Sequence, residues 1–278
     1  MKSNNQSRRL TAQHLASRGV IGIFGEEAKL HDIKVGVIAS EYLIKALEEE
    51  FVTLKFRVRN HLSKAEINQS LHAIDSCLGV TSFLPNSRII PDGKIVEVMD
   101  DHGRWRVICV SEAKHQGKEI ENIKAGIKTK DGKDIMTAGN AIERSHKNIA
   151  EFANFMLAED HFPYILFLEG SNFLTQNVVV KKPDGAEIVL KYDAGNLNRI
   201  DRLTAANYGM PINTNLCENK VVNCNGKTIS LQAASIYTKG DGTSWSFEEL
   251  FEIMLDISRT SLKVLSSDLF EQLFNGGR

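Results

Sequence analysis

Pro91-Asp92 and, twenty positions after the aspartate, Glu112-Ala113-Lys114 combine two carboxylates with a lysine. Those residue types suit the hydrolysis of a phosphodiester. Carboxylate oxygens are ligands for a hard cation such as Mg²⁺, which keeps several waters and bridges to phosphate. A neighbouring lysine can orient or help deprotonate the attacking water, and stabilise the transition state. Glu112 and Lys114 are two apart, so on a strand both side chains fall on one face. Asp92 opens the preceding strand of the hairpin, from which it could reach the same cation.

The short pattern also has bland readings. Pro-Asp-Gly recurs at Pro183 and Glu-Ala-Lys recurs at Glu27. The copy at Glu27 lies in a helical context, where its side chains would splay around the axis. The copy at Pro183 has no following strand ending in Glu-x-Lys. Only Asp92 with Glu112 and Lys114 places both halves on neighbouring strands, although patterns this short match by chance. His115 reads as a phosphate contact or a surface residue. Trp245 reads as core, and Asp241-Gly-Thr-Ser-Trp245 as a loop. No Walker loop or Gly-x-Gly-x-x-Gly is present, so nucleotide cofactors have no support.

The elements that must position these residues can be read from periodicity. Val35, Ile38, Tyr42, Leu43 and Leu47 recur at helical spacing, and a second helix is expected over Lys64–Ile74. Lys94–Val98 and Trp105–Val110, joined by Asp100-Asp-His-Gly103, read as a hairpin that runs into Glu112. Ile149, Phe152, Ala153 and Met156 share one face of a helix over Ile142–Leu157. This helix suits ordinary core packing and a dimer surface equally. Tyr164–Leu168 reads as a strand buried on both faces. A second hairpin is expected over Val178–Lys191, a strand over Thr228–Tyr237 and an amphipathic helix over Phe247–Phe274. Strands interspersed with helices predict an α/β fold. Residues 1–18 read as a weakly ordered arm, followed by a single domain over 19–278.

Bulk composition sets limits without choosing a function. The chain of 278 residues is 42% hydrophobic and 25% charged, as expected of a soluble globular protein. Its formal net charge of −1 does not advertise a nucleic-acid binder. Binding DNA requires local cations rather than a global excess. Arg8, Arg9 and Arg18 form one basic cluster, and Lys114, Lys118, Lys124, Lys128 and Lys130 form another. Cys77, Cys109, Cys217 and Cys224 lack Cys-x-x-Cys spacing, which argues against zinc. Without a signal peptide or an apolar run of spanning length, a cytoplasmic protein with free thiols is expected.

A longer resemblance now enters. Pro91-Asp92 with Glu112–Lys118 is similar to the active site of EcoRI-type type II restriction endonucleases, of the PD-(D/E)xK superfamily. The likeness continues through Ala138–Asn148, Phe162-Pro-Tyr164, Leu168–Leu174 and Asp201–Asn213. It covers nearly the whole chain and is weakest in the arm and in the Val178–Lys191 hairpin. It implies a mixed central β-sheet flanked by helices, a restriction-endonuclease-like core with an N-terminal arm. By the same resemblance Asp92 and Glu112 would hold Mg²⁺ with the Ala113 carbonyl, and Lys114 would act on the attacking water. The segment Met136-Thr137-Ala138-Gly139-Asn140-Ala141 would read bases in the major groove. Asn140 would pair with adenines, Arg144 would bridge purines, and Met136 and Ala141 would touch pyrimidine edges. Arg199 and Arg202 would buttress this surface.

The implied activity is that of a homodimer cutting double-stranded DNA at the palindrome GAATTC, between G and A, to leave 5′ overhangs. A cognate DNA methyltransferase would act on the same site without forming a stable complex, and no membrane is involved. Two positions depart from the pattern: Thr137 stands in place of alanine and Asn196 in place of isoleucine. On the residues alone, a structure-specific repair nuclease and a non-catalytic DNA-binding module remain open alternatives.

Overall fold

The computed structural model describes residues 33–80, 84–127, 138–205 and 220–265. The proposed arm, Met136 and Thr137, and the end of the C-terminal helix lie outside these residues. Helix α1 covers residues 33–50, with Ile38–Leu43 wound as a π-helix. Strands β1 (Phe56–Arg59) and β2 (Leu62–Ser63) lead into α2 (Lys64–Ile74). The start of α2 is set by a capping box: Ser63 Oγ accepts from the Glu66 amide, and Glu66 Oε2 accepts from the Ser63 amide. Next come β3 (Arg88–Ile89), β4 (Ile95–Met99), β5 (Trp105–His115), α3 (Glu119–Lys124) and α4 (Ala138–Phe155). Then follow β6 (Tyr164–Glu169), β7 (Val178–Lys181), β8 (Glu187–Leu190) and α5 (Ala194–Ala205). The described chain closes with β9 (Lys220–Cys224), β10 (Lys227–Leu231), β11 (Ser235–Thr238) and α6 (Phe247–Leu265).

Five strands form a central sheet in the order β1-β4-β5-β6-β11. The β1–β4 and β4–β5 pairs are antiparallel, while β5, β6 and β11 are parallel, so the sheet is mixed. One face packs Val96, Val98, Ile108, Ala113, Ile165 and Phe167 against α1 and α6. The other packs Val107, Val110, Leu166, Leu168 and Ile236 beneath α4, with α2 and α5 alongside. Burial on both faces explains why β6 is an unbroken apolar run up to Leu168. The architecture is the α/β arrangement expected, with helices on both sides of a mixed sheet.

A β-bulge sets the phase of the central strand. Val96 pairs with Cys109 and Glu97 with Val107, so Ile108 is the extra residue on β5. Val107 and Val110, three apart, therefore share the face under α4. Beyond the bulge that face continues through Glu112 and Lys114. Without the inserted residue, the valine at 107 and the chemistry at 112 and 114 would lie on opposite faces.

Thr228–Tyr237 is not one strand. Gln232-Ala-Ala234 interrupts it, and β10 pairs with β9 while β11 joins the central sheet. The β-branched and aromatic content is shared by both pieces, so composition alone does not mark the break. The α4 helix uses Ala141, Ile142, Ile149, Phe152 and Met156 just after it in core packing, while Glu143, Arg144, His146 and Lys147 are exposed. Among the described residues, no helix is long and apolar enough to cross a membrane. Cys77 and Cys109 are free thiols.

Candidate active site and DNA-reading surface

The site lies where β5 outruns its neighbour. β4 ends its pairing at Ile95 opposite Val110, and the edge of β5 beyond is bordered by the Pro91–Gly93 segment. The Gly93 amide donates to the Ser111 carbonyl at 2.8 Å, and Ser111 Oγ donates back to the Gly93 carbonyl at 3.2 Å. The Ala113 amide donates to Asp92 Oδ2 at 3.3 Å. Asp92 is thereby docked onto the strand that carries Glu112 and Lys114. Closeness of this kind requires a glycine at 93. A Cβ there would lie 1.9 Å from Ser111 Oγ and 2.4 Å from Val35 Cγ1. Gly93→Ala is therefore expected to destabilise the fold by about 1–3 kcal/mol through overpacking. It should also slow DNA cleavage by shifting Asp92, and urea melts with single-turnover rates check both.

Three oxygens converge on one cation. Lys114 Nζ donates to Asp92 Oδ2 at 2.6 Å and to the Ala113 carbonyl at 3.1 Å, and lies 2.7 Å from Glu112 Oε1. Glu112 is fully buried and accepts from three further donors. Ser145 Oγ reaches Oε1 at 3.3 Å, Asn148 Nδ2 reaches Oε2 at 3.1 Å, and the Tyr164 hydroxyl donates to Oε2. Burial raises the Glu112 pKa, but the Lys114 charge, with hydrogen bonds from Lys114, Tyr164 and Asn148, outweighs it and holds the carboxyl below its ordinary value. Burial likewise pushes Lys114 down, and the charges of Glu112 and Asp92 more than reverse it. Burial, then the Glu112 charge, keeps the Tyr164 phenol well above its ordinary value.

These shifts have a defined pH signature. A depressed Glu112 contributes stability above its ordinary pKa of 4.5 and loses it as pH falls through the lower folded value. A raised Lys114 contributes fully below its ordinary 10.5 and loses this as pH rises through the higher folded value. Both contributions are complete between about pH 4.5 and 10.5. Denaturant unfolding against pH is expected to show an acid limb that flattens in Glu112→Gln.

The three converging oxygens are hard donors, and the point on which they converge already accommodates a positive charge. Asp92, Glu112 and Lys114 together carry a formal charge of −1, which leaves room for a cation. The described residues hold no group of three or more His, Cys, Asp or Glu side chains suited to a metal. Two carboxylates, a carbonyl and solvent instead fit a cation such as Mg²⁺ that retains much of its water.

Several residues of the site carry no signal in the short motif. Ser145 and Asn148 occupy positions in the buried stripe of α4, between Ile142 and Phe152, where apolar residues are otherwise the rule. Tyr164 opens a strand that is apolar from Ile165 to Leu168. A polar group set in each hydrophobic stripe was the available clue. His115 is not a surface residue: its side chain is 8% exposed and its Nδ1 lies 2.8 Å from Glu169 Oε1. Glu169 Oε2 also accepts from the Trp245 amide at 2.7 Å, tying the 241–245 loop to the sheet. Trp245 is core, as expected.

Seven of the nine expected DNA-reading residues lie among the described residues, on two helices, and Met136 and Thr137 lie outside them. Ala138, Gly139 and Asn140 form the first turn of α4, Ala141 is buried, and Arg144 is exposed on the same helix. Arg199 and Arg202 lie on α5, which packs against α4 with Leu197 and Ile200 joining the cluster around Ala141 and Ile142. Arg199 is exposed. Asn196, the residue departing from the pattern, is 9% exposed and bonds in two directions. Its Nδ2 donates to the Asn172 carbonyl at 3.0 Å, and its Oδ1 accepts from Arg199 Nη1 at 3.3 Å. An aliphatic side chain there could make neither bond. Pro183-Asp-Gly185 is the turn between β7 and β8, which form a two-stranded sheet separate from the one that carries the site. Glu27 lies outside the described residues.

Comparison with known proteins identifies the family. Residues 17–272 match the family described as Restriction endonuclease EcoRI. The chain is 61% identical to the type II restriction enzyme EcoRI of Escherichia coli over 275 residues, spanning 98% of this chain and 99% of that one. It is 45% identical to the type II restriction enzyme RsrI of Cereibacter sphaeroides over 271 residues, 96% of each. With a family match over most of its length and two full-length relatives, the chain belongs to the EcoRI family of restriction endonucleases.

Proposed function

We propose that this type II restriction endonuclease cleaves double-stranded DNA at GAATTC, between G and A, leaving 5′ phosphates on 5′ overhangs. The observation that carries the chemistry is the convergence of Asp92, Glu112 and the Ala113 carbonyl on a single cationic centre. The site specificity is supported by the identity to EcoRI. Asp92, Glu112 and the Ala113 carbonyl would hold Mg²⁺, which supplies Lewis acidity at the scissile phosphate and lowers the pKa of bound water. Lys114 is an ammonium at neutral pH, because Glu112 and Asp92 hold its proton. With the Glu112 and Asp92 oxygens on the cation, it would orient or help deprotonate the attacking water and offset charge at phosphorus. Ser145, Asn148 and Tyr164 keep Glu112 ionised and fixed while this occurs.

A palindrome presents two equivalent half-sites and a two-fold dimer presents two equivalent surfaces, so a homodimer is the matching assembly. Asn140 would read adenine, with Arg144 and the 136–141 segment at neighbouring bases and Arg199 and Arg202 behind them. A methyltransferase of the same specificity would protect the host's own sites, and both enzymes would act in the cytoplasm. A plasmid with a single GAATTC, incubated with enzyme and Mg²⁺, should be linearised with ends mapping to G↓AATTC. Preference for branched DNA, or cutting of a duplex lacking GAATTC, would establish a structure-specific nuclease instead.

A further inference from the structure

The Glu112 carboxylate has about four acceptor positions, and four donors fill them. Lys114 and Ser145 bond Oε1, while Asn148 and Tyr164 bond Oε2. The donors differ in freedom. Lys114 is charged and its side chain is 20% exposed, so it can leave. Tyr164 cannot: it is 1% exposed, and its ring is packed by Phe152 at 5.5 Å and Phe162 at 6.0 Å between centroids. It also starts β6, and Glu112 pairs with Leu166, so the phenol reaches its partner diagonally across two parallel strands.

We propose that Tyr164 is the positioning residue of the metal site, fixing the Glu112 carboxylate plane so that Oε1 faces the oxygens of Asp92 and Ala113. The terminal torsion of a glutamate is soft and roughly two-fold, so a buried carboxylate needs an external reference for its rotation. Tyr164 supplies one on the sheet itself, and Asn148 braces the same oxygen from α4. This rests on the reading of Glu112 as a metal ligand.

Loss of the hydroxyl leaves the ring packing and the strand intact but frees the carboxylate to turn. Hydrogen-bond partners behind a metal ligand typically change metal affinity or activity by about 10–100-fold. Tyr164→Phe is therefore expected to raise the Mn²⁺ concentration at half-saturation about 10-fold or more. The maximal cleavage rate at saturating metal should fall by a smaller factor than the metal affinity. A merely structural contact would lower the rate at every metal concentration and leave half-saturation unmoved.

The test titrates Mn²⁺ into full-length wild type, Tyr164→Phe and Glu112→Gln. Bound metal is read from the loss of the free Mn²⁺ electron paramagnetic resonance signal, with cleavage rates measured in parallel. Weaker binding in both variants supports the proposal. Weak binding in Glu112→Gln with wild-type binding in Tyr164→Phe overturns it while leaving the metal site standing. Wild-type binding in Glu112→Gln overturns the metal-ligand reading itself. Should Tyr164→Phe fail to fold, 3-fluorotyrosine placed at position 164 retains the hydroxyl. Its ¹⁹F resonance should then move on adding Mg²⁺ to wild type but not to Glu112→Gln, and a resonance blind to Mg²⁺ in both overturns the proposal.

Discussion

Replacing Lys114 by methionine is expected to abolish most cleavage while tightening the binding of a divalent cation to the DNA-free protein. The two effects have one cause. The Lys114 ammonium sits 2.6 Å from Asp92 Oδ2, 2.7 Å from Glu112 Oε1 and 3.1 Å from the Ala113 carbonyl, where a cation would be held. Holding a cation there would require Lys114 to swing aside, which would make it available to the water and the phosphate. Methionine keeps an unbranched stem but removes the charge. Loss of one preorganised electrostatic stabiliser costs about 10²–10³ in rate. Removing a positive charge a few ångströms from the metal's ligands should strengthen Mn²⁺ binding about tenfold or more. Without metal, the variant leaves a buried carboxylate short of a counter-ion. Its stability should fall, by at most about 3–5 kcal/mol, and recover when Mg²⁺ is added. Calorimetric melts with and without Mg²⁺, Mn²⁺ titration and single-turnover cleavage measure all three. Wild-type cleavage by Lys114→Met, or unchanged metal affinity, would sink this account.

What could be read in advance divides along physical lines. The β4–β5 hairpin, the α2 helix and the buried β6 strand were legible because each is written in local periodicity and caps. Ser63 with Glu66 marks the start of α2, and Asp100–Gly103 marks the turn between β4 and β5. Asp92, Glu112 and Lys114 were legible as a group because their separation matches one hairpin. The Ile108 bulge was not, since an extra β-branched residue in a strand leaves the composition unchanged. Nor were Ser145, Asn148 and Tyr164, whose link to Glu112 spans 33, 36 and 52 residues and exists only once α4 lies on the sheet. His115 was misread because its polarity suggests solvent, whereas Glu169 opposite it on β6 provides a buried partner. The base-reading residues have no local signature at all. A helix start bearing Asn140 and Arg144 looks the same whether it meets water or DNA, and only the long runs shared with the family distinguish the two.

Asn140→Ala is expected to collapse sequence discrimination while leaving non-specific affinity and its salt dependence intact. An asparagine can donate from Nδ2 to N7 of adenine while its Oδ1 accepts from N6–H, a bidentate pair worth about 1–3 kcal/mol of discrimination. A dimer on a palindrome uses the contact twice, so about 2–6 kcal/mol is at stake, or roughly 30- to 10⁴-fold. Phosphate contacts carry the bulk affinity and the slope against log salt concentration, and Asn140 makes no ionic contribution to either. The fold adds a second consequence. Asn140 is in the first turn of α4, and Ser145 and Asn148 of the same helix bond Glu112. At 1.5 Å per residue, Asn140 is about 7.5 Å along the axis from the first of these bonds. A helix seated correctly on its adenine thus also seats two donors on the metal-site carboxylate. Discrimination measured by cleavage should consequently fall further in Asn140→Ala than discrimination measured by binding. Rates and equilibrium constants on GAATTC and on a duplex altered at one adenine, each over a range of salt, separate the two. Equal losses would show that α4 transmits nothing to Glu112, and unchanged discrimination would remove Asn140 from the reading surface.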